Sequence, residues 1–410
     1  MLCLFRLNFE SQLGVSKMIR RAYIYFIIIT LIFPSMAVWA QDEQWLQYHS
    51  AREVRLVGFS PNYKNLEIIT DKPAGIELPT FKSDDAIFAK WPTPMVESGY
   101  LWLALDKTYK RGMHDNVYID SNGDGHLNDE TPIKAYRHTQ NNAYFGPLKV
   151  VFQIEDGPVT YHLNLQYYSS SDNRRRRLYA TTGCWYEGDI TVEGIKKHCV
   201  LFDYNANGTF NDKSLEADES DRIRVGKLNN RATGFVGNYI EVDDKLYKPE
   251  IARDGAYVKL TKAEDVTFGN IRLPESITEF SAGGENGLFT LEPKKGICSL
   301  PVGKYRVSNW VIERKDDKDT QWKLTGTQYG GKGYFDIIEA KEAEFNVGEP
   351  IISTLEASLR DGTHYFNQEI KGRNGERIEL TRNGTRPQAP KLNIKSEDGE
   401  YDRTYSFRYG

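Results

Sequence analysis

Cysteine is scarce in this 410-residue sequence, and the motifs of several common enzyme classes are absent from it. The sequence contains no His-Glu-x-x-His pair of a zinc protease, no Gly-x-Ser-x-Gly elbow and no Gly-x-x-x-x-Gly-Lys-Ser/Thr phosphate loop. A net charge of −4 provides no basic excess for general nucleic-acid binding. Glycoside hydrolases stay open as a class, because their two carboxylates come from distant strands and leave no motif.

Long hydrophobic runs are also rare, and the clearest one lies near the N-terminus. Residues 18–21 are basic, residues 22–33 are almost entirely apolar, and residues 37–40 end in small side chains. These features predict a secretory signal peptide within residues 1–40, with the true start at Met18 and cleavage before Gln41. We therefore expect an exported protein, periplasmic or extracellular, with no membrane span after cleavage.

Three of the four cysteines follow the predicted cleavage point, namely Cys184, Cys199 and Cys298. An odd number cannot form a fully paired set of disulfides within one chain. A two-residue turn at Glu193-Gly194 would set Cys199 opposite Gly188, several residues away from Cys184. We therefore expect the three cysteines to be buried apolar fillers.

Short alternations of apolar and polar residues, separated by turn residues, run through most of the chain. The 25 tyrosines, 19 phenylalanines and 7 tryptophans can fill a packed interior, and the 34 glycines favour many turns. The pattern predicts an all-β fold of tandem β-sandwich-like domains, with one short helix over residues 44–54. Predicted strands include residues 100–105, 148–154, 159–168, 177–186, 189–192, 197–202 and 257–260.

The length and the changes in composition predict three domains after the signal peptide. The first, residues 41–235, contains the two loops described below. A second β-domain covers residues 236–347, and a small β-sandwich-like domain covers residues 348–410. Residues 314–319 are charged and predict a hairpin tip, and the sequence closes with a predicted hairpin that turns at residues 397–399.

Residues 120–130, Asp-Ser-Asn-Gly-Asp-Gly-His-Leu-Asn-Asp-Glu, have the pattern of a calcium-binding loop. Oxygen-bearing side chains occupy loop positions 1, 3 and 5, a glycine occupies position 6, and position 7 offers its backbone carbonyl. Calcium takes six to eight oxygen ligands, and this spacing wraps them around one point. The predicted ligands are Asp120, Asn122, Asp124, the carbonyl of His126, Asp129 and Glu130.

The pattern recurs over residues 203–212 as Asp-Tyr-Asn-Ala-Asn-Gly-Thr-Phe-Asn-Asp. Both copies have Asn at position 9 and Asp at position 10, which indicates a duplicated device. The second copy has fewer charges and should bind more weakly. Its predicted ligands are Asp203, Asn205, Asn207, the carbonyl of Thr209 and Asp212.

Strand-like residues 116–119 and 198–202 precede the two loops, whereas helices flank a true EF-hand. Position 12 holds Thr131 or Ser214 in place of the usual Glu. Asp129 or Glu130 could replace that ligand in the first loop. In the second loop Asp212 is the nearest substitute, with Glu216 or Asp218 further along.

The alternative interpretation is a polar turn, because Asp, Asn and Gly also favour turns. Four carboxylates within residues 120–130 would repel one another without a cation, which favours the metal site. An affinity of about 10⁻⁴ to 10⁻³ M, typical of extracellular modules, would make calcium a structural staple.

Two further features have both a binding and a structural interpretation. Residues 174–177 are four arginines, which could hold an anion or form a solvated hairpin tip. Several tryptophans could form a sugar-binding platform or belong to the core. They are Trp91, Trp102, Trp185, Trp310 and Trp322.

The chain resembles uncharacterised secreted bacterial proteins that carry EF-hand-like Asp-x-Asn-x-Asp-Gly loops on β-sheet domains. The two loops carry the resemblance, together with residues 301–306, Pro-Val-Gly-Lys-Tyr-Arg, and the terminal Phe-Arg-Tyr-Gly of residues 407–410. The resemblance implies calcium binding and export, and it implies no enzymatic activity.

The sequence therefore predicts a secreted, calcium-binding, non-catalytic structural or binding protein, with calcium as its cofactor. A glycan or a cell-surface protein is the expected partner. The alternative is a glycan-active protein with structural calcium, either a carbohydrate-binding module or a glycoside hydrolase.

Overall fold

The chain folds almost entirely as antiparallel β-strands in a computed structural model. The structure describes residues 44–52, 60–110, 112–155, 157–170, 174–226 and 234–408. Within these ranges there is no α-helix, and a single 3₁₀ turn covers Ala217–Glu219. The predicted all-β class is therefore confirmed. None of the described segments forms a helix long and apolar enough to cross a membrane. The predicted signal peptide lies outside the described residues.

Within the described residues, fourteen strands precede residue 236. They are β1 (Gln47–Ser50), β2 (Lys64–Leu66), β3 (Ile87–Pro92), β4 (Tyr100–Asp106), β5 (Asn116–Ile119), β6 (Ile133–Lys134), β7 (Arg137–His138), β8 (Asn142–Ile154), β9 (Gly157–Ser169), β10 (Arg176–Thr182), β11 (Cys184–Val192), β12 (Ile195–Phe202), β13 (Arg222–Gly226) and β14 (Gly234–Phe235).

Sixteen strands follow between residue 236 and the end of the described part of the chain at residue 408. They are β15 (Ile240–Val242), β16 (Lys245–Ile251), β17 (Val258–Lys262), β18 (Phe268–Arg272), β19 (Glu279–Gly284), β20 (Gly287–Leu291), β21 (Ile297–Pro301), β22 (Gly303–Lys315), β23 (Gln321–Thr327), β24 (Tyr334–Ile337), β25 (Glu342–Glu344), β26 (Ile352–Arg360), β27 (Thr363–Lys371), β28 (Arg377–Arg382), β29 (Lys391–Lys395) and β30 (Asp402–Ser406).

Three sheets and a small three-stranded sheet enclose the first hydrophobic core. Their strand orders are β1-β11-β12-β13-β14, β2-β10-β9-β8-β7, β3-β4-β5-β6 and β15-β16-β17. Alternate residues of the long strands point inward, so that Val150, Leu163 and Leu201 are fully buried in one cluster. This cluster extends along the chain as far as Val258, with Leu260 packed against it.

A second core lies between the remaining sheets. The largest has the order β20-β19-β22-β23-β28-β27-β26, with β24 also paired to β22, and a smaller sheet has the order β21-β18-β25. Trp310 and Tyr305 are fully buried in this core, which runs from Ile271 to Ile378. Strands β29 and β30 form a separate hairpin. The predicted domain boundaries at residues 235 and 347 stay predictions.

Two local predictions are wrong. The helix expected over residues 44–54 is instead strand β1, which pairs with β11, while residues 53 and 54 lie outside the described ranges. The single strand expected over residues 177–186 is divided at Gly183, where the chain leaves β9 and joins β1. Apolar alternation continues through this crossing, so the sequence pattern could not reveal it.

The cysteine prediction is confirmed. Glu193 and Gly194 both have positive φ, at 47° and 78°, and the hairpin sets Cys199 opposite Gly188. Cys184, Cys199 and Cys298 are all buried and free. The predicted hairpin tip after β22 and the final hairpin β29–β30 are also present.

Candidate metal centres

The first loop begins where β5 ends at the edge of the first core. The backbone N–H of Asp120 donates to the Trp102 carbonyl at 3.0 Å, which continues the pairing of β5 with β4. This pairing leaves Asp120 only 1% exposed, whereas most of the loop after it faces solvent. The position-1 carboxylate is therefore held by the sheet.

Side chains of the first loop bind its own backbone. The two Asp120 oxygens accept the N–H groups of Gly123 at 2.8 Å and Gly125 at 3.0 Å. Asn122 Oδ1 accepts the N–H of Asp124 at 3.1 Å, and Asp124 Oδ1 accepts that of His126 at 2.8 Å. Positions 1, 3 and 5 thus face the inside of one turn of chain.

The inside of the first loop is filled by an amide between two carboxylates. Asn122 Nδ2 donates to Asp124 Oδ2 at 3.0 Å and to Asp129 Oδ2 at 3.1 Å. The structure therefore brings together the side chains of positions 3, 5 and 10, three of the predicted ligands. The donating NH₂ group lies between two anionic oxygens, where a cation would also be stabilised.

Glu130 binds the loop backbone and lies away from this amide. Its two oxygens accept the backbone N–H of Ser121 and the Ser121 hydroxyl, the latter at 3.0 Å. This contact ties loop position 11 to position 2, so Glu130 acts on the shape of the loop.

Glu77 contributes to the first loop from a distant part of the chain. Its backbone N–H donates to His126 Nδ1 at 3.0 Å, and its carboxylate accepts Asn128 Nδ2 at 2.7 Å. Its carbonyl also accepts the N–H of Leu127 at 2.9 Å. Sequence reasoning missed this residue, because nothing near Glu77 resembles a metal motif.

The second loop repeats the hydrogen bonds of the first. Asp203 Oδ2 accepts the N–H of Gly208 at 2.8 Å, as Asp120 accepts Gly125. Asn205 Oδ1 accepts the N–H of Asn207 at 3.2 Å, and Asn207 Oδ1 accepts that of Thr209 at 2.9 Å. Both loops therefore share three hydrogen bonds. The backbone N–H of position 6 donates to the side chain of position 1, that of position 5 to the side chain of position 3, and that of position 7 to the side chain of position 5.

Glycine is required at position 6 of both loops. Gly125 and Gly208 have φ values of 85° and 95°, in the left-handed region that favours glycine. Their N–H groups point at the position-1 carboxylates as a result. The sequence match of the two copies thus corresponds to the same local geometry.

Asp212 is the centre of the second loop. Its Oδ2 atom accepts Thr209 Oγ1 at 2.6 Å, Asn207 Nδ2 at 2.8 Å and Asn205 Nδ2 at 3.2 Å. Position 10 thus faces the position-3 amide in this loop too, as Asp129 does in the first. The aspartates at position 10 of the two loops therefore occupy equivalent positions.

Asp221 was not predicted, although it is equivalent to Glu130 of the first loop. It is fully buried, and its carboxylate accepts the N–H of Tyr204 at 3.0 Å and that of Asp212 at 2.9 Å. Tyr204 is at position 2, the position that Glu130 binds in the first loop. An acidic residue at the start of the next strand was the one sequence signal available.

The carboxylates of Glu216 and Asp218, the more distant candidates for the missing position-12 ligand of the second loop, have other surroundings. The Glu216 carboxylate binds the Arg306 guanidinium and the Tyr334 hydroxyl, both of which belong to strands of the second core. Asp218 is exposed at the 3₁₀ turn, and its carbonyl accepts Asn62 Nδ2 at 3.1 Å.

Burial makes the position-1 carboxylates costly to ionise. Desolvation raises the pKa of Asp120 to about 6, although the N–H groups of Gly125 and Gly123 oppose the rise. Desolvation raises the pKa of Asp203 to about 7, opposed by the Gly208 N–H and the Tyr161 hydroxyl, which donates at 2.8 Å. A nearby cation would favour the charged form of each.

Other carboxylates of the loops show the same effect. Burial, followed by the charges of Asp203 and Asp212, raises the pKa of Asp221 well above its ordinary range. Burial also raises the pKa of Glu130, with smaller contributions from the charges of Asp129 and Asp124. In both loops, therefore, burial opposes the ionised form of some of the carboxylates that a cation would favour.

The donor set of the loops fits a hard cation and not a soft one. Their side chains carry carboxylate, amide and hydroxyl groups, whose oxygens suit calcium or magnesium. Within the described parts of the chain, no three His, Cys, Asp or Glu side chains are arranged to hold a metal ion. Calcium in these loops would therefore require Asn122, Asn205 and Asn207 to turn their amide oxygens inward.

The other candidate features are the five tryptophans and the arginines of residues 174–177, which belong to the cores, the strands and a turn. Trp91, Trp102, Trp185 and Trp310 are buried, and Trp322 is half-buried. The arginines of residues 174–177 lie at the turn between β9 and β10 and at the start of β10. Residues 171–173 of that turn lie outside the described ranges.

No protein family, curated protein or solved structure matches the chain.

Proposed function

We propose that the chain is an exported, calcium-binding, non-catalytic protein in which two loops use calcium as a structural staple. The observation that supports this proposal is the agreement between the loops beyond their sequence motif. The position-10 carboxylate faces the position-3 amide in both, at 3.1 Å for Asp129 and 3.2 Å for Asp212. A pair of unrelated polar turns would have no reason to share this arrangement.

The burial of the position-1 carboxylates also supports the proposal. Asp120 and Asp203 are 1% and 0% exposed, and burying an ionised carboxylate is costly unless a cation or hydrogen bonds compensate it. Calcium would neutralise several of these charges at once. Its expected effect is on stability, because both loops lie at the ends of core strands.

A thermal melt in excess EDTA and then in calcium tests the proposal. With calcium at tenfold to hundredfold above Kd, one site stabilises the fold by about 1.4–2.7 kcal/mol. For a cooperative unit of this size the melting temperature should rise by about 2–4 °C. Magnesium at the same concentration is the ionic control.

Asp120→Ala should remove the calcium-dependent rise that belongs to the first loop. Asp316→Ala is the control, because Asp316 also accepts backbone N–H groups, from Lys318 and Thr320, but lies at the hairpin tip between β22 and β23 and outside both loops. The control should lower the melting temperature equally with and without calcium. If Asp120→Ala keeps the full calcium increment of the parent, the first loop is a polar turn.

A further inference from the structure

A hollow of about 290 Å³ opens on the outer face of the sheet β2-β10-β9-β8-β7. Tyr144 on β8, Gln166 on β9 and Thr181 on β10 line it from neighbouring strands, and Tyr136 and Arg52 line it from beside the sheet. The hollow is separate from both metal loops. A cavity of this size accommodates one ring-sized group, with room for a longer ligand to continue outside.

Two arginines lie over tyrosine rings at the hollow. The Arg52 Cζ atom is 4.6 Å from the centre of the Tyr136 ring, and Arg137 Cζ is 4.2 Å from that of Tyr144. A guanidinium that stacks through its face keeps the N–H groups at its edge free to bind a carboxylate. The two rings are neighbours, with centroids 6.4 Å apart.

Neither arginine has an acidic partner among the described residues. Arg52 and Arg137 form no ion pair there, and the residues known to line the hollow include no Asp or Glu. Other arginines in strands, such as Arg272 with Glu342 and Arg314 with Glu349, do pair with a carboxylate. The hollow is therefore positively charged, in a chain that carries a net negative charge.

The fold holds these groups in place. Asn164, which is 7% exposed, donates its amide to the carbonyls of Ala51 at 3.0 Å and Arg52 at 3.3 Å. The backbone N–H of Tyr136 donates to the Tyr144 carbonyl at 3.0 Å, and Arg137 is paired with Tyr144 in the sheet. These contacts hold the backbone of Arg52 and Arg137, from which the two charged side chains extend, before any ligand binds.

We propose that this hollow binds one uronate unit of an acidic polysaccharide. The guanidinium edges would bind the sugar carboxylate, since paired N–H groups match its two oxygens. The neutral polar groups of Gln166 and Thr181 would bind hydroxyl groups, and Tyr63, 45% exposed at the rim, provides an aromatic surface for the ring. The hollow is larger than an inorganic anion needs, and it contains the mixed polar and aromatic lining of a sugar site.

Calorimetry with short oligomers of galacturonate, mannuronate and glucuronate tests this site. The intact protein should bind at least one free acid, and the methyl ester of the same oligomer should bind at least about tenfold more weakly. Added salt should weaken binding of the acid more than that of the ester, because screening acts on the charged pair. EDTA is present throughout, so that calcium cannot bridge the loops to the polyanion.

Arg52→Ala combined with Arg137→Ala should weaken binding of the acid by about tenfold to hundredfold. Arg177→Ala is the matched control, since Arg177 is exposed on the same sheet and contacts Tyr179 outside the hollow. It should bind like the parent. The single variants Arg52→Gln and Arg137→Gln serve if the double variant does not fold.

Several results would overturn the proposal: no binding of any of the three acids, equal affinity for acid and ester, or full affinity in the double variant. Competition by inorganic sulfate at the same affinity as the uronate would show an anion site without sugar recognition. Because the measurement excludes calcium, its failure leaves the calcium proposal intact, and the reverse also holds.

Discussion

Asp221 and Glu130 have the same place in their loops, yet they come from different parts of the local sequence. Glu130 follows the position-10 aspartate directly, whereas Asp221 is reached only after the 3₁₀ turn Ala217–Glu219. Each accepts the N–H of loop position 2, from Ser121 or Tyr204. Each loop therefore has a carboxylate beside the N–H of position 2, although the two carboxylates come from different sequence positions.

A buried histidine should contribute to stability in a pH-dependent way. His114 is 3% exposed, its Nε2 donates to the Asp85 carbonyl at 2.9 Å, and burial lowers its pKa. The charges that face it are Lys107 and Arg176, which favour the neutral ring, and the Asp85 carboxylate, which opposes them. Since the unfolded state binds the proton first, the stabilising contribution is complete above pH about 6.5 and is lost as the pH falls.

When the pH falls from 7.5 to 5.5, the free energy of unfolding of His114→Gln should therefore change in favour of the folded state relative to the change in the parent, since Asp120 and Asp203 titrate in both proteins. Urea denaturation of the variant and the parent at both pH values measures this difference. His364→Gln, at an exposed site on β27, is the control and should keep the parent's pH dependence. An unchanged pH dependence in His114→Gln would assign the acid sensitivity to other groups.

At the scale of elements, the turn between β27 and β28 is joined to β22 by a buried carboxylate. Glu376 is fully buried and accepts the Trp310 indole N–H at 3.0 Å and the Asn374 N–H at 2.7 Å. Trp310 lies in the middle of the second core. This contact holds the end of the β26–β27 hairpin against the sheet.

Glu376→Ala should destabilise the protein by about 1–3 kcal/mol, because the buried indole N–H loses its acceptor. Chemical denaturation followed by tryptophan fluorescence measures the loss. Glu379→Ala on β28 is the control, since Glu379 is exposed and its pair with Arg386 at 3.6 Å should contribute at most about 1 kcal/mol. Equal losses in both variants would contradict the proposed role of the buried contact.

Strand positions followed from the sequence wherever alternation and turn residues agreed. β4, β9 and β12 appear close to their predicted ranges, and the hairpin turn at Glu193-Gly194 set the register of β11 and β12. The division of the chain at Gly183 was missed, because strands on either side of it continue the same apolar alternation. Which sheet a strand joins depends on partners that its own residues do not specify.

At the scale of the whole molecule, a close backbone contact links the segment after β14 to the turn between β19 and β20. Asn238 N–H donates to the Glu285 carbonyl at 2.7 Å, and Asn238 Nδ2 donates to Asn286 Oδ1 at 3.0 Å. A Cβ atom on Gly237 would lie 2.3 Å from the Gly287 nitrogen. Glycine is thus needed where the two cores meet.

Gly237→Ala should destabilise the protein by about 1–3 kcal/mol through this clash and should weaken the coupling of the two cores. Urea transitions followed by circular dichroism and by fluorescence should then no longer coincide. Gly234→Ala is the control, because its nearest neighbour would be 3.5 Å from the new Cβ. Coincident transitions of unchanged midpoint in Gly237→Ala would rule out the contact as a constraint.

The sequence by itself determined the all-β class, the hairpin turns and the hydrogen bonds between position 6 and position 1 of both loops. These features depend on residues within a few positions of one another, such as the aspartate at position 1 and the glycine at position 6 of each loop. Only the tertiary structure decided that Glu77 and Asp221 complete the loops, and that Arg52 meets Tyr136 beside β8. Those groups come from separate segments, and their meeting depends on how distant strands pair into sheets.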